Sequence, residues 1–152
     1  MTVTIEPRPI NADVSLFVQG SGVKEVSGVS PDPNFHIGVQ SFNMPVNMSV
    51  NHLAYSPPSV LYIDVETNVA PVSVALDSLF QGTFVAHTSW ASATVSGAMV
   101  GRTLDYDVIS DSEVTGWIGN GTRPETEQLF KAGQGHVAVA SSLANVTLVL
   151  GP

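Results

Sequence analysis

The stretch Thr67-Asn68-Val69-Ala70-Pro71-Val72-Ser73-Val74 contains a short pattern that occurs twice more, with variations, at residues 88–95 and 141–148. Each copy reads hydroxyl, small polar, apolar, Ala, turn residue, apolar, hydroxyl, apolar, and each follows an alternating run that is typical of a β-strand. A weaker copy at residues 41–48 keeps a proline at the turn position. The pattern predicts strand–turn–strand repeats, with the alanine of each complete copy (Ala70, Ala91 and Ala144) buried in a tight corner.

The spacing of the repeats narrows the fold class. Thr67 and Thr88, which open the first two complete copies, lie 21 residues apart, and a period near 20 suits either a β-solenoid rung or successive hairpins. We therefore predict an all-β fold, either a β-sandwich or a short β-solenoid-like stack. At 152 residues the chain fits a single domain, with N-terminal strands within residues 1–55 and the repeat region at 60–150.

The segment between the second and third complete copies contains signals of its own. Residues 103–109 alternate like a strand, and residues 116–121 form a glycine-rich pattern around Trp117 that predicts a turn. Thr122 and Glu125 have the spacing of a capping box, with Pro124 in the first turn. We predict one short helix near residues 123–132, the single helix of the chain.

Composition and charge exclude several functions. Five Lys and Arg residues stand against thirteen Asp and Glu, which gives a net charge of −8. The cations do not cluster, so binding to nucleic acid or to an anionic membrane surface is not expected. The chain has no cysteine, and its N-terminus lacks the basic and apolar regions of a secretion signal. We interpret it as a soluble cytoplasmic protein. Its low charge density and Val-rich strands favour a homo-oligomer.

The repeat region resembles a domain of unknown function that is common in basidiomycete fungal proteins. That family repeats Thr-Ser-Asn-Ala-Pro or Ser-Asn-Gly tetrads between β-strands, with a Gly-Thr-Phe step. The matching residues are 67–71, 80–84, 88–91 and 141–144, so the likeness covers about residues 60–150. Val69, Trp90 and Leu143 stand where that family has Asn. The resemblance implies a stacked, adhesin-like β-repeat architecture and no established activity.

One acid–histidine pair is the candidate for catalysis. Glu66 and His87 each precede a repeat hydroxyl, so on adjacent strands their backbones would lie about 4.8 Å apart. Such a pair is either an exposed cross-strand contact or a general acid and base. The chain has no G-x-S-x-G elbow and no H-x-H or H-E-x-x-H motif. We therefore predict no metal and no cofactor, and the sequence favours a protein that is not an enzyme.

The two tryptophans suggest a binding role. Trp117 lies between glycines, which favours an exposed ring, whereas Trp90 suits either a corner of the core or a stacking platform. We take Trp117, Asn120, Thr122 and Trp90 as candidate ligand-binding residues. The function that these features favour is a non-catalytic binding module, lectin-like by compositional analogy with small fungal lectins, for a glycan or other neutral small ligand. The alternatives are a self-assembling structural β-repeat protein and a small enzyme that uses the pair Glu66 and His87.

Overall fold

The computed structural model describes residues 12–18, 34–52, 60–97, 101–125 and 134–151. Within these ranges the protein is all-β, and no residue is helical. The strands are β1 (Ala12–Val18), β2 (Asn34–Ser41), β3 (Val46–His52), β4 (Val60–Thr67), β5 (Val72–Leu76), β6 (Gly82–Thr88), β7 (Ala93–Gly97), β8 (Thr103–Ile109), β9 (Glu113–Gly119), β10 (Gly135–Ser141) and β11 (Val146–Leu150). The prediction of an all-β fold is confirmed.

The described strands form two sheets. The five-stranded sheet has the order β1-β3-β5-β11-β7, and the six-stranded sheet has the order β2-β4-β10-β6-β9-β8. Pairing is parallel throughout, except where β9 pairs antiparallel with β6 and β8. Apolar side chains on the facing sides of both sheets form one core, which includes Val39, Ile63, Val74, Phe84, Val139 and Leu148.

Four strand–bend–strand units, which we call arches, connect the two sheets. They are β2–β3, β4–β5, β6–β7 and β10–β11, so the weak copy at residues 41–48 forms an arch like the other three. Backbone hydrogen bonds join neighbouring arches, for example Asn68 N to Ser41 O at 3.2 Å and Leu143 N to Asn68 O at 2.9 Å. Because each arch satisfies the next one's backbone groups, the repeats stack into a continuous ladder.

The order of the arches in space differs from their order in the sequence. The last unit, β10–β11, lies between β4–β5 and β6–β7 in both sheets. The first two complete copies are therefore not adjacent, and the condition under which Glu66 and His87 would stand on neighbouring strands is not met. Strand β6 pairs with β9 on one edge and with β10 on the other, so neither of its edges is left for β4.

A buried hydroxyl, rather than a buried alanine, is common to the arches of the three complete copies, whereas Ser41 of the β2–β3 arch is only partly buried. Thr67, Thr88 and Ser141 are 1%, 0% and 2% exposed. Thr67 Oγ1 donates to Ala70 O at 2.5 Å, and Thr88 Oγ1 donates to Ala144 O of the neighbouring arch at 3.0 Å. Ala70 is buried as predicted, but Ala91 and Ala144 are partly exposed, so the prediction of three buried alanines is wrong for two of them.

The segment after β7 also departs from expectation in part. Strand β8 has the predicted bounds, but Gly116 and Trp117 lie within β9 rather than in a turn. Gly116 makes room for the neighbouring strand β8, because a Cβ on it would lie 2.1 Å from Asp105 O. Residues 123–125 are not helical, and the remainder of the predicted helix lies outside the described residues.

Candidate functional site

The outward face of the six-stranded sheet carries many of the acidic, histidine and aromatic side chains in the described residues. Strand register aligns its side chains in rows that cross β2, β4, β10, β6 and β9 in turn. The rows are Gln40, Glu66, Ala140, His87, Glu113; then Gly38, Asp64, Ala138, Val85, Thr115; then His36, Tyr62, His136, Thr83, Trp117.

A shallow cavity of about 340 Å³ lies on this face over β2, β4 and β10. We call it the outer-face groove and define it by the residues Gly38, Gln40, Asp64, Glu66, Ala138 and Ala140. Its floor is low because Gly38 of β2 and Ala138 and Ala140 of β10 lie beside β4. The side chains of Asp64 and Glu66 rise from β4 between these small residues, and both are exposed. Gln40 Nε2 lies 3.5 Å from Glu66 Oε2.

Aromatic side chains flank the groove beyond Asp64. The rings of Tyr62 and His36 are stacked, with centroids 4.7 Å apart and planes inclined by 11°. His136 follows on β10, and its Nδ1 shares a hydrogen bond of 2.8 Å with Thr83 Oγ1. The groove thus joins carboxylate oxygens to a flat aromatic surface, and no Lys or Arg in the described part of the chain lines it.

The candidate catalytic pair is not a contacting pair. Ala140 of β10 pairs with Glu66 on one side and with His87 on the other. The two residues are therefore two strands apart, roughly 9–10 Å by sheet spacing, and the predicted separation of one strand is wrong. His87 instead lies opposite Glu113 of β9. Glu66 lines the groove, and His87 stands beside it across Ala140.

The structure contradicts the expectation for Trp117 and fits one of the two alternatives for Trp90, an exposed ring rather than a corner of the core. Trp117 is 1% exposed, and its Nε1 donates to Gln134 Oε1 at 3.0 Å; the prediction that it is exposed is wrong. Trp90, at the end of the β6–β7 arch, is 82% exposed. Gly119, on the same face of β9, leaves room for the ring of Trp117, because a Cβ there would lie 2.3 Å from Cζ2 of that ring.

The other two candidate ligand-binding residues lie away from the groove. Asn120 and Thr122 are exposed and follow β9. Because β9 runs antiparallel to β6, they lie at the opposite end of the sheet from Trp90. The structure therefore does not bring the four predicted ligand-binding residues together. Sequence reasoning missed Asp64 and Tyr62, although their alternation with Ile63 and Val65 was the signal that they point outward.

Two arginines in the described part of the chain are engaged outside the groove. Arg123 donates to both carboxylate oxygens of Asp107, at 2.6 and 2.8 Å. This hydrogen bonding lowers the pKa of the Asp107 carboxyl and raises the pKa of Arg123. Arg102 donates to the carbonyl of Phe80. Burial lowers the pKa of Arg102, and Asp77 acts in the opposite direction.

Neither a metal centre nor a membrane-spanning helix is found in the described ranges. No group of three or more His, Asp or Glu side chains there is arranged to hold a metal ion. No helix among these residues has the length and apolar character needed to cross a bilayer. Comparison with protein-family models, with curated proteins and with solved structures finds no significant match for this chain.

Proposed function

We propose that this protein is a non-catalytic carbohydrate-binding module whose ligand, a neutral oligosaccharide, lies in the outer-face groove. The observation that supports this most directly is the pair of exposed carboxylates, Asp64 and Glu66, set over a floor of glycine and alanine beside the ring of Tyr62.

The polar groups of the groove suit a ligand rich in hydroxyls. A carboxylate accepts short hydrogen bonds from hydroxyl donors, and Asp64 and Glu66 project from the same face of β4 two residues apart. Gln40 adds an amide that can both donate and accept. Apolar drug-sized ligands prefer enclosed, mostly hydrophobic pockets, whereas this groove is open and carries two carboxylates and an amide.

Charge and aromatic surface restrict the ligand further. The net charge of −8 and the two groove carboxylates repel acidic sugars and phosphates. The stacked rings of Tyr62 and His36 offer a flat surface next to Asp64, and aromatic rings pack well against the C–H face of a sugar. The ligand class is therefore a neutral glycan, read by hydroxyl hydrogen bonds and one aromatic contact.

A glycan array followed by calorimetry tests the proposal. Glu66→Ala and Tyr62→Ala should each weaken binding of a selected glycan by about tenfold, the equivalent of losing roughly 1.4 kcal/mol. Asp111→Ala removes an exposed acid at the β8–β9 turn, outside the groove, and should leave the affinity unchanged. An array without hits at high protein concentration, or binding that Glu66→Ala leaves intact, contradicts the proposal.

Self-association is a second candidate function, favoured by apolar side chains at the arch ends. Phe42, Val69, Leu143 and Trp90 belong to successive arches and are 56%, 41%, 52% and 82% exposed. A row of exposed apolar side chains is typical of an interaction surface. If this row joins copies of the chain, Trp90→Ser together with Leu143→Ser should convert an oligomer into a monomer in light scattering. A wild-type protein of monomer mass at micromolar concentration contradicts self-association.

A further inference from the structure

On the side of β7, the six-stranded sheet extends one strand further than the five-stranded sheet. Strand β7 is the edge strand of the five-stranded sheet and packs over β6 and β9. The six-stranded sheet continues beyond β9 to β8. As a result, no strand of the five-stranded sheet in the described ranges lies opposite β8.

The side of β8 that faces inward is apolar and exposed. Tyr106 and Ile109 point to this side, because their partners on β9 are Gly116 and the buried Val114. They are 38% and 72% exposed. Tyr106 reaches across Gly116 to Phe84 of the core, with ring centroids 5.9 Å apart and planes at 83°. The open end of the core is thus an apolar surface one strand wide.

The backbone beside this surface is an unpaired strand edge. Ala93 N bonds to Asp111 O, away from β11, at 2.8 Å. Since backbone groups of a strand alternate in direction, the N–H groups of Val95 and Gly97 also point away from β11. No strand in the described part of the chain pairs with that edge of β7. Strand β7 has neither a charged residue nor a proline, the features that commonly protect an edge.

We propose that β7 and β8 form an acceptor slot for one extended segment of a partner polypeptide. The segment adds to the five-stranded sheet at β7 and takes hydrogen bonds from Val95 and Gly97. Its alternate apolar side chains cover Tyr106 and Ile109. Main-chain hydrogen bonds supply affinity in this mode of recognition, and the alternate side chains supply specificity.

The shape of the slot selects a single segment rather than the edge of another two-sheet domain. If another two-sheet domain paired one of its sheets with β7, its second sheet would have to lie where β8 already is. The net charge of −8 favours a segment that is neutral or basic. A short, soluble, alternating apolar peptide with lysines outside its strand region has this chemistry.

Strand β11 supplies a probe, because it already pairs with the other edge of β7. The probe is a synthetic peptide that copies residues 144–151 and carries a lysine at each end. We expect it to bind the wild-type protein and to slow hydrogen exchange at the amides of Val95 and Gly97. The amides of Thr94 and Ser96, which point toward β11, should change little.

Matched variants separate the slot from other surfaces. Ile109→Glu places a charge in the slot and should weaken peptide binding by at least about tenfold. Thr94→Glu places the same charge on the exposed, opposite side of β7 and should change affinity less than about twofold. Val95→Pro removes an edge N–H and should also weaken peptide binding. Circular dichroism checks that the Val95→Pro variant folds. If it does not fold, Ile109→Glu still tests the slot.

Several results overturn the proposal. One is the absence of peptide binding to the folded wild type. Another is peptide binding that Ile109→Glu leaves intact, or protection that appears at amides outside Val95 and Gly97. The last is a wild-type oligomer that Ile109→Glu dissociates to monomer, because the slot would then be filled by a second copy of this chain.

Discussion

Glu66 on β4 and His87 on β6 stand on either side of Ala140, which pairs with both of them in the six-stranded sheet. Inserting β10 between the two strands separates an acid and a histidine that repeat spacing alone would place side by side. The separation changes the chemistry that this face can perform. A carboxylate and an imidazole two strands apart cannot share a proton directly, but both can contact a ligand that lies across Ala140.

Cysteine pairs can test this strand order in a chain that has no cysteine of its own. The Cα atoms of residues 66 and 87 should lie roughly 9–10 Å apart, beyond the ~7 Å limit for a disulfide. Glu66→Cys with His87→Cys should therefore remain reduced under mild oxidation. His87→Cys with Glu113→Cys joins residues directly opposite each other in an antiparallel pair and should oxidise readily. Rapid formation of a 66–87 disulfide, measured by mass spectrometry, would refute the order β4-β10-β6.

Local pattern was sufficient to predict the arches but not their order. The hydroxyl that opens each copy and the alternation before it are set by neighbouring residues, so the sequence reveals them. The insertion of β10 depends on its pairing with β6. These two strands lie about 50 residues apart in the sequence. No periodicity in the sequence predicts this pairing.

The candidate site was predictable to a similar degree. Alternation places Tyr62, Asp64 and Glu66 on one face of their strand, as the structure shows. The groove also requires the small residues Gly38 and Ala138 on the flanking strands, and their nearness follows only from sheet order. Glycines flanking Trp117 suggested an exposed loop because glycine is permissive, whereas here they make room for tightly packed neighbours.

The buried arch hydroxyls should contribute measurably to stability. Thr88 is fully buried and donates to the carbonyl of Ala144 in the neighbouring arch. Thr88→Val keeps the shape of the side chain and leaves that carbonyl without this donor, so we expect a loss of about 1–3 kcal/mol in the free energy of unfolding. Thr94→Val on exposed β7 should stay within about 0.5 kcal/mol of the wild type. Equal denaturation midpoints for the two variants would show that the hydroxyl is dispensable.

Two glycines of the six-stranded sheet should respond oppositely to alanine. A Cβ on Gly82, which has a φ of 153°, would lie 2.0 Å from the carbonyl oxygen of Gly135. Gly82→Ala should therefore cost at least about 2 kcal/mol through crowding and backbone strain. A Cβ on Gly38 meets no atom within 4 Å, and Gly38→Ala should preserve or slightly raise stability because alanine restricts the unfolded chain. Thermal unfolding of both variants checks this contrast, which fails if Gly82→Ala melts like the wild type.

The ion pair of Asp107 and Arg123 predicts a small dependence of stability on pH. Hydrogen bonding from Arg123 lowers the pKa of Asp107 in the folded state. Its contribution is therefore complete above the unfolded pKa of about 3.9 and is lost as pH falls through the lower, folded value. Asp107 is exposed and Arg123 is partly exposed, so Asp107→Asn should cost no more than about 1 kcal/mol at pH 7. The difference between variant and wild type should vanish in strong acid, and a difference that grows on acidification would contradict the assignment.

Substitutions of the two tryptophans should differ most clearly in their effect on stability. Trp117 is buried and hydrogen-bonded to Gln134, so Trp117→Ala should cost about 3–5 kcal/mol. Trp90 is exposed at the arch end, and Trp90→Ala should change stability by less than about 0.5 kcal/mol. Acrylamide should quench the fluorescence of Trp90 in the Trp117→Phe variant but barely affect Trp117 in the Trp90→Phe variant. If Trp117→Ala unfolds at the wild-type midpoint, its ring is not packed, and it becomes available again as a recognition residue.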